Sequence, residues 1–70
     1  MKNNRLITEI MDLRDARVRL QRRVALLEDK ALWEPNSFTE EDFYWLRYYR
    51  AEIARIKATE EELHARIYNH

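Results

Sequence analysis

The chain has 70 residues, of which 13 are basic and 13 acidic, and it contains no glycine, no cysteine and one proline. This length allows one domain, residues 1–70, and the lack of cysteine excludes disulfides and thiolate zinc sites as stabilising elements. A chain this short buries only about 60% of the surface that its unfolded form exposes, so association with another chain is the expected source of further stability.

The composition is that of a helical protein. Ala, Leu, Arg and Glu are abundant, and no useful stretch alternates apolar and polar residues as a strand would. The longest run without a charged residue is Pro35 to Thr39, whereas a membrane-spanning helix needs about 20 apolar residues. We therefore expect an all-α protein that is intracellular, in the cytoplasm, and does not bind membranes.

The first predicted helix covers residues 4–32, and Asn3 or Asn4 can cap its start. Its apolar positions recur at alternating intervals of four and three, which is a heptad seam broken once by an arginine. Asp15 and Arg19 are expected to form an ion pair outside the seam. The seam comprises Leu6, Ile10, Leu13, Arg17, Leu20, Val24, Leu27 and Ala31.

The predicted turn covers residues 33–39 and contains the single proline, Pro35. Proline disfavours a helical conformation in the residue before it and donates no backbone hydrogen bond, so the first helix must end here. Either Ser37, three residues before Glu40, or Thr39, followed by three acidic residues, can cap the next helix. A connection this short favours two antiparallel neighbouring helices.

The second predicted helix covers residues 40–68 and carries a similar seam, broken once by a glutamate. Folding the chain back at the turn pairs Leu6 with Ile67 at the far end and Leu27 with Leu46 near the turn. The sequence thus predicts an antiparallel, coiled-coil-like two-helix hairpin. The second seam comprises Leu46, Tyr49, Ile53, Ile56, Glu60, Leu63 and Ile67.

The two charged seam positions, Arg17 and Glu60, fall in adjacent layers of this hairpin and have opposite signs. An isolated buried charge is very costly and a paired one is tolerable, so we predict an ion pair between them. Sliding the helices by one heptad would leave both charges among apolar side chains, so the pair is expected to set the register. The alternative is that both side chains reach solvent separately.

Two further apolar rows lie outside the seams. One runs along the first helix (Ile7, Met11, Val18, Ala25, Leu32), and the other is an alanine row on the second (Ala51, Ala58, Ala65, with Ala54 beside it). They either widen the hairpin's own apolar face and supply good helix formers, or contact another helix. The second possibility predicts a homodimer in the form of a four-helix bundle.

Six of the eight aromatic residues lie between Phe38 and Arg50. Phe43 and Trp33 are expected to cover the turn end of the hairpin, leaving other aromatic side chains exposed beside arginines. Trp, Tyr and Arg are enriched at protein-binding hot spots, although the aromatic residues could instead plug the end of the fold. The predicted protein-binding residues are Tyr44, Trp45, Arg47, Tyr48 and Arg50.

The sequence predicts binding and no catalysis, cofactor or metal site. Only two histidines are present, and without glycine there is no Gly-rich phosphate loop. The expected function is that of a regulator, inhibitor or assembly adaptor that docks on another protein, as compact viral or accessory genes encode. The alternatives are a purely structural oligomerisation module and an RNA- or DNA-binding hairpin, whose contacts would be Arg14, Arg19, Arg22 and Arg23.

Overall fold

The fold is two long helices joined by a short turn. The computed structural model of the chain describes the backbone of residues 2–68 and the side chains of residues 4–68. Helix α1 runs Lys2–Trp33, a 3-10 turn covers Pro35–Ser37, and helix α2 runs Glu40–Tyr68. The helices lie side by side in a particle of 53 × 15 × 14 Å, which confirms the predicted all-α helical hairpin. Within the described range, neither helix is both long and apolar enough to cross a membrane.

The start of α1 differs from the sequence expectation. The helix begins at Lys2, so the prediction that Asn3 or Asn4 caps a helix starting at residue 4 is wrong. Asn4 lies inside the first turn, where its backbone carbonyl accepts a hydrogen bond of 2.9 Å from the Thr8 hydroxyl. The side chain of Asn3 lies outside the described residues. The first turn of α1 has no acidic residue, so it lacks the favourable interaction of an anion with the helix dipole.

The turn is closed by backbone hydrogen bonds around the proline. The amide of Glu34 donates to the carbonyl of Lys30 at 2.8 Å, which completes the last turn of α1. The amides of Ser37 and Phe38 then donate to the carbonyls of Glu34 and Pro35 at 2.9 and 3.3 Å. Since proline has no N–H to leave unsatisfied, Pro35 is well suited to the first position of this 3-10 turn.

A reciprocal capping box starts α2, and its cap is Thr39 rather than Ser37. The amide of Asp42 donates to the Thr39 hydroxyl at 3.1 Å, and the amide of Thr39 donates to Asp42 Oδ2 at 3.1 Å. Asp42 Oδ2 also accepts a hydrogen bond of 2.8 Å from Lys30 Nζ. The hydrogen bond from Lys30 and the one from the Thr39 amide lower the pKa of Asp42. One carboxylate therefore caps α2 and ties it to the last turn of α1.

The core is a single seam between the helices. Among residues 4–68, only Leu46 and Leu63 are buried, each with 6% of its surface exposed. The remaining residues of both predicted seams are half-buried. Two helices alone can cover only one face of each other, so the seam cannot close completely. The fold consequently leaves much apolar surface exposed, and this exposed surface is available to bind a partner.

Candidate functional site

Arg17 and Glu60 meet midway along the hairpin. Arg17 Nε donates to Glu60 Oε1 at 2.7 Å, and Arg17 Nη2 donates to Glu60 Oε2 at 3.3 Å. The two side chains are 22% and 12% exposed, so this bidentate pair is largely shielded from water. The hydrogen bond to Glu60 raises the pKa of Arg17, and no buried side-chain nitrogen or oxygen in the described residues lacks a partner. The charged seam positions thus meet as the sequence predicts.

The aromatic side chains of the first half of α2 form a cluster around Trp45. We define the aromatic cluster as Tyr44, Trp45, Tyr48 and Tyr49. Trp45 stacks on Tyr49, with ring centroids 5.7 Å apart and planes inclined by 27°. Tyr44 and Tyr48 present edges to Trp45 at 5.3 and 5.7 Å. These geometries are the favourable ones for aromatic pairs, so the rings hold one another in place.

Helix α1 contributes an arginine to this cluster. Arg23 Nη1 donates to the Tyr49 hydroxyl at 3.1 Å, and its guanidinium carbon lies 5.6 Å from the centre of the Tyr49 ring. Beside it lies an open groove of about 250 Å³, the aromatic groove, whose lining is mostly apolar. Trp45 is 39% exposed at this groove. The groove is lined by Arg23, Leu26, Leu27, Trp45 and Tyr49.

The two arginines predicted to join the aromatic residues occupy different places. The Arg47 guanidinium carbon lies 5.9 Å from the centre of the Phe43 ring, and with Tyr44 and Tyr48 this arginine lines a second, larger depression of about 620 Å³ on the outer face of α2. Arg50 donates to Glu28 at 3.0 Å and lines neither depression. The structure therefore brings together Tyr44, Trp45 and Tyr48, places Arg47 at their edge and leaves Arg50 in a cross-helix ion pair.

The expectation that Trp33 and Phe43 cover the turn end of the hairpin is wrong. Trp33 is 76% exposed and Phe43 is 53% exposed. Trp33 is the last residue of α1 and follows the seam residue Ala31 by two positions, so it lies off the helix–helix contact. The turn end consequently presents apolar side chains to solvent in addition to the aromatic cluster.

The arginine-rich middle of α1 does not form one basic face. Arg14, Arg19 and Arg22 line a shallow depression together with Asp15 and Val18, whereas Arg23 is directed to Tyr49. The predicted pair between Asp15 and Arg19 is not the one found, because the Asp15 carboxylate lies 3.7 Å from Arg14 Nη2. Three of the four arginines predicted to contact nucleic acid therefore share one surface.

Sequence reasoning missed two residues that shape the turn end. The predicted layers pair Val24 with Tyr49, so the neighbouring Arg23 could have been placed at the aromatic cluster. Leu26, which is exposed and lines the aromatic groove, gives no such signal, because it lies outside both the seam and the further apolar row of the first helix. Its role becomes visible only when Trp45 is placed beside α1.

The described residues contain no group of three or more His, Asp or Glu side chains placed to hold a metal ion. His64 stacks on Tyr68 with ring centroids 6.5 Å apart. No family model, curated protein or solved structure matches the chain. Its function must therefore be inferred from its own residues.

Proposed function

We propose that the protein is a small non-enzymatic interaction module that binds another protein through the aromatic groove and cluster, acting as a regulator, inhibitor or assembly adaptor in the cytoplasm. The observation that carries this proposal is the arrangement of Trp45. Its ring is held by Tyr49 and flanked by two further tyrosines, yet a substantial part of it faces solvent. Pre-ordered, exposed Trp and Tyr beside Arg are the side chains that dominate protein-binding hot spots.

The groove suggests the chemistry of the partner segment. An apolar side chain can enter between Trp45 and Leu26, where it would displace water from a mostly apolar surface. One N–H of the Arg23 guanidinium donates to the Tyr49 hydroxyl, and its other N–H groups can donate to a carboxylate of the partner. An amphipathic helix with an acidic residue beside its apolar anchor would satisfy both features.

Substitution of Trp45 by alanine tests the proposal. Wild type, W45A and the control W33A are immobilised and exposed to extract from the native host, and captured proteins are quantified by mass spectrometry. We expect W45A to reduce capture of a specific partner by about 30-fold or more, the effect of losing a hot-spot residue. W33A removes a highly exposed tryptophan that lines neither depression, and it should retain the partner.

Circular dichroism of each variant separates binding from folding. Y48A provides a second test, since Tyr48 is an exposed member of the cluster whose ring lies 5.7 Å from Trp45 and 5.9 Å from Tyr49. Retention of the partner by helical W45A and Y48A would refute the proposal. Loss of helical structure in both variants would show instead that the aromatic residues plug the fold, as the purely structural oligomerisation hypothesis requires.

Nucleic-acid binding is the second candidate function, and the shared depression of Arg14, Arg19 and Arg22 favours it. Binding through phosphate contacts releases counterions, so affinity for single-stranded RNA should fall steeply with added salt. Binding at the aromatic groove should depend on salt much less, because burial of apolar surface dominates it. Measuring affinity of the captured protein and of a random RNA oligonucleotide over a range of salt concentrations distinguishes the two functions.

A further inference from the structure

A second apolar surface runs along the full length of α1, apart from the aromatic groove. We define the α1 stripe as Ile7, Met11, Val18, Ala25 and Leu32. Val18 is half-buried and the other four residues are exposed. Near its middle, Val18 lies in the shallow depression that charged side chains surround. The stripe is thus an apolar row whose members from Met11 onward lie seven residues, or about two helical turns, apart, with charged side chains such as Asp15 and Arg22 between and beside them. The hairpin seam does not cover it.

The total exposed surface of the chain is large for its mass. A folded monomer of 8.7 kDa is expected to expose about 4,700 Å², whereas this chain exposes 5950 Å². The excess is roughly 1,200 Å², which is more than the ~800 Å² that each partner contributes to an interface of standard size. The hairpin therefore has enough uncovered surface for a stable interface in addition to its own seam.

We propose that a second copy of the chain covers the α1 stripe, with the two α1 helices packed antiparallel about a two-fold axis near Val18. Such an interface uses the same patch on both copies. The axis places Val18 opposite Val18 of the second copy and Met11 opposite Ala25 of the second copy. The long, flexible side chain of Met11 then faces the methyl group of Ala25 at both symmetry-related positions, which allows close packing of the helices.

The charges bordering the stripe favour this orientation. Asp15 precedes Val18 by three residues, and Arg22 follows it by four. Both therefore lie on the same side of the stripe. An antiparallel pair places Asp15 of each copy beside Arg22 of the other, which gives two symmetry-related ion pairs. In a parallel pair about a two-fold axis, the side of the stripe that carries Asp15 and Arg22 lies on opposite flanks of the contact in the two copies, so these residues do not face each other. The Asp15–Arg22 ion pairs thus form only in the antiparallel dimer.

The proposed dimer does not use the aromatic groove. The groove is formed by Trp45 and Tyr49 of α2 with Arg23 and Leu26 of α1. None of these residues belongs to the α1 stripe, so a dimer can present two grooves to partner proteins. The dimer and the proposed partner binding can therefore fail independently of each other.

Sedimentation equilibrium of the purified chain tests this proposal. We expect wild type to form a dimer, and A25E to weaken dimerisation by about tenfold or more, since it places a charge against the apolar Met11. The matched control is A58E, which adds the same charge at an exposed alanine of α2. A58E should dimerise as wild type does, and circular dichroism should show helical folding of both variants.

Charge reversal tests the orientation. D15R places like charges together in the antiparallel dimer and should weaken it by about threefold to tenfold. The double variant D15R/R22D restores opposite charges across the interface and should regain most of the lost affinity. A parallel dimer would show no such rescue, because it does not bring residue 15 of one copy beside residue 22 of the other.

Three outcomes would overturn the proposal: a monomer at every concentration, a dimer unaffected by A25E, or a dimer that W45A dissociates while A25E leaves it intact. The last result would assign self-association to the aromatic groove.

Discussion

At the scale of single residues, Thr39 and Asp42 determine where α2 begins. The Thr39 hydroxyl accepts a hydrogen bond from the amide of Asp42, and the Asp42 carboxylate accepts one from the amide of Thr39. Without these bonds, backbone amides in the first turn would lack a partner within the helix. Ser37 has the same hydroxyl chemistry but lies inside the 3-10 turn, two residues before the cap.

Replacing Thr39 by alanine should therefore destabilise the hairpin, whereas the same change at Ser37 should have little effect. We expect T39A to lower the free energy of unfolding by about 0.5–2 kcal/mol, the usual effect of losing a helix cap. S37A should change it by less than about 0.5 kcal/mol, as exposed substitutions commonly do. Urea unfolding followed by circular dichroism measures both. Equal losses in the two variants would contradict the assignment of Thr39 as the cap.

Asp42 should make the stability of the hairpin depend on pH in the acidic range. Its pKa is lowered in the folded state, so the stability it contributes is fully present above its unfolded pKa of about 3.9. That contribution is lost as the pH falls through the lower, folded pKa. The difference in melting temperature between wild type and D42N should therefore shrink on acidification.

The control for this prediction is E41Q, which removes an acidic residue from the same helical turn. Glu41 makes no ion pair within the described residues, so E41Q should lower the melting temperature at neutral pH less than D42N does. A difference between wild type and D42N that stays constant down to strongly acidic pH would show that Asp42 does not stabilise the fold through its charge.

At the scale of the helices, the Arg17–Glu60 pair is the contact that distinguishes one register from another. The leucines and isoleucines of the seam resemble one another, and a shift of one heptad would keep many of them in contact. The same shift would separate Arg17 from Glu60 and place each charge beside apolar side chains. We infer that the pair contributes specificity more than net stability, since removing two charges from water offsets much of their attraction.

A double-mutant cycle on R17A and E60A measures the coupling between these side chains. We expect the two substitutions to be strongly non-additive, because either one alone leaves a half-buried charge without its partner. The matched cycle is R50A and E28A, a cross-helix pair whose side chains are 54% and 52% exposed. It should show a smaller coupling, as exposed ion pairs do. Additive effects at Arg17 and Glu60 would contradict the inferred role.

The sequence could predict these helices because their heptad pattern is long and each seam is broken only once. The opposite charges of Arg17 and Glu60, in adjacent layers of the hairpin, then indicated that these side chains are in contact. Helix ends were harder to predict, because nothing before Asn3 prevents the backbone from continuing as a helix to Lys2. Two equally suitable caps, Ser37 and Thr39, could be distinguished only by the path of the chain after the proline.

At the scale of the whole molecule, the unexpected features are concentrated near the turn. Lys30 reaches Asp42, and Arg23 reaches Tyr49. Both cations lie on long side chains beside the seam, and their partners depend on rotamers that heptad position does not determine. The exposure of Trp33 has a similar origin, since a residue that follows the seam can either fold over the turn or extend into solvent.

The candidate protein-binding site depends on the chain reversing direction at the turn and returning in one register. The aromatic groove combines residues of both helices, and it would not exist if Trp45 and Leu26 were far apart. A long continuous helix would separate these residues, and a register shift would place other side chains around Trp45. The position of one helix along the other therefore determines whether the aromatic groove exists.

Pulsed electron paramagnetic resonance between two spin labels directly tests the position of one helix along the other. The chain has no cysteine, so D12C and E62C can be labelled selectively at exposed positions near the open end of the hairpin. Labelled chain is diluted into unlabelled chain, so that only distances within one molecule are measured. Since packed helices lie 8–10 Å apart, we expect one narrow distribution below about 30 Å. A distance near 75 Å, as in a continuous helix of that length, would contradict the account. A second population lengthened by a few ångström would also contradict it, because a shift of one heptad moves one label by about 10 Å along the helix axis, nearly at right angles to the line between the labels.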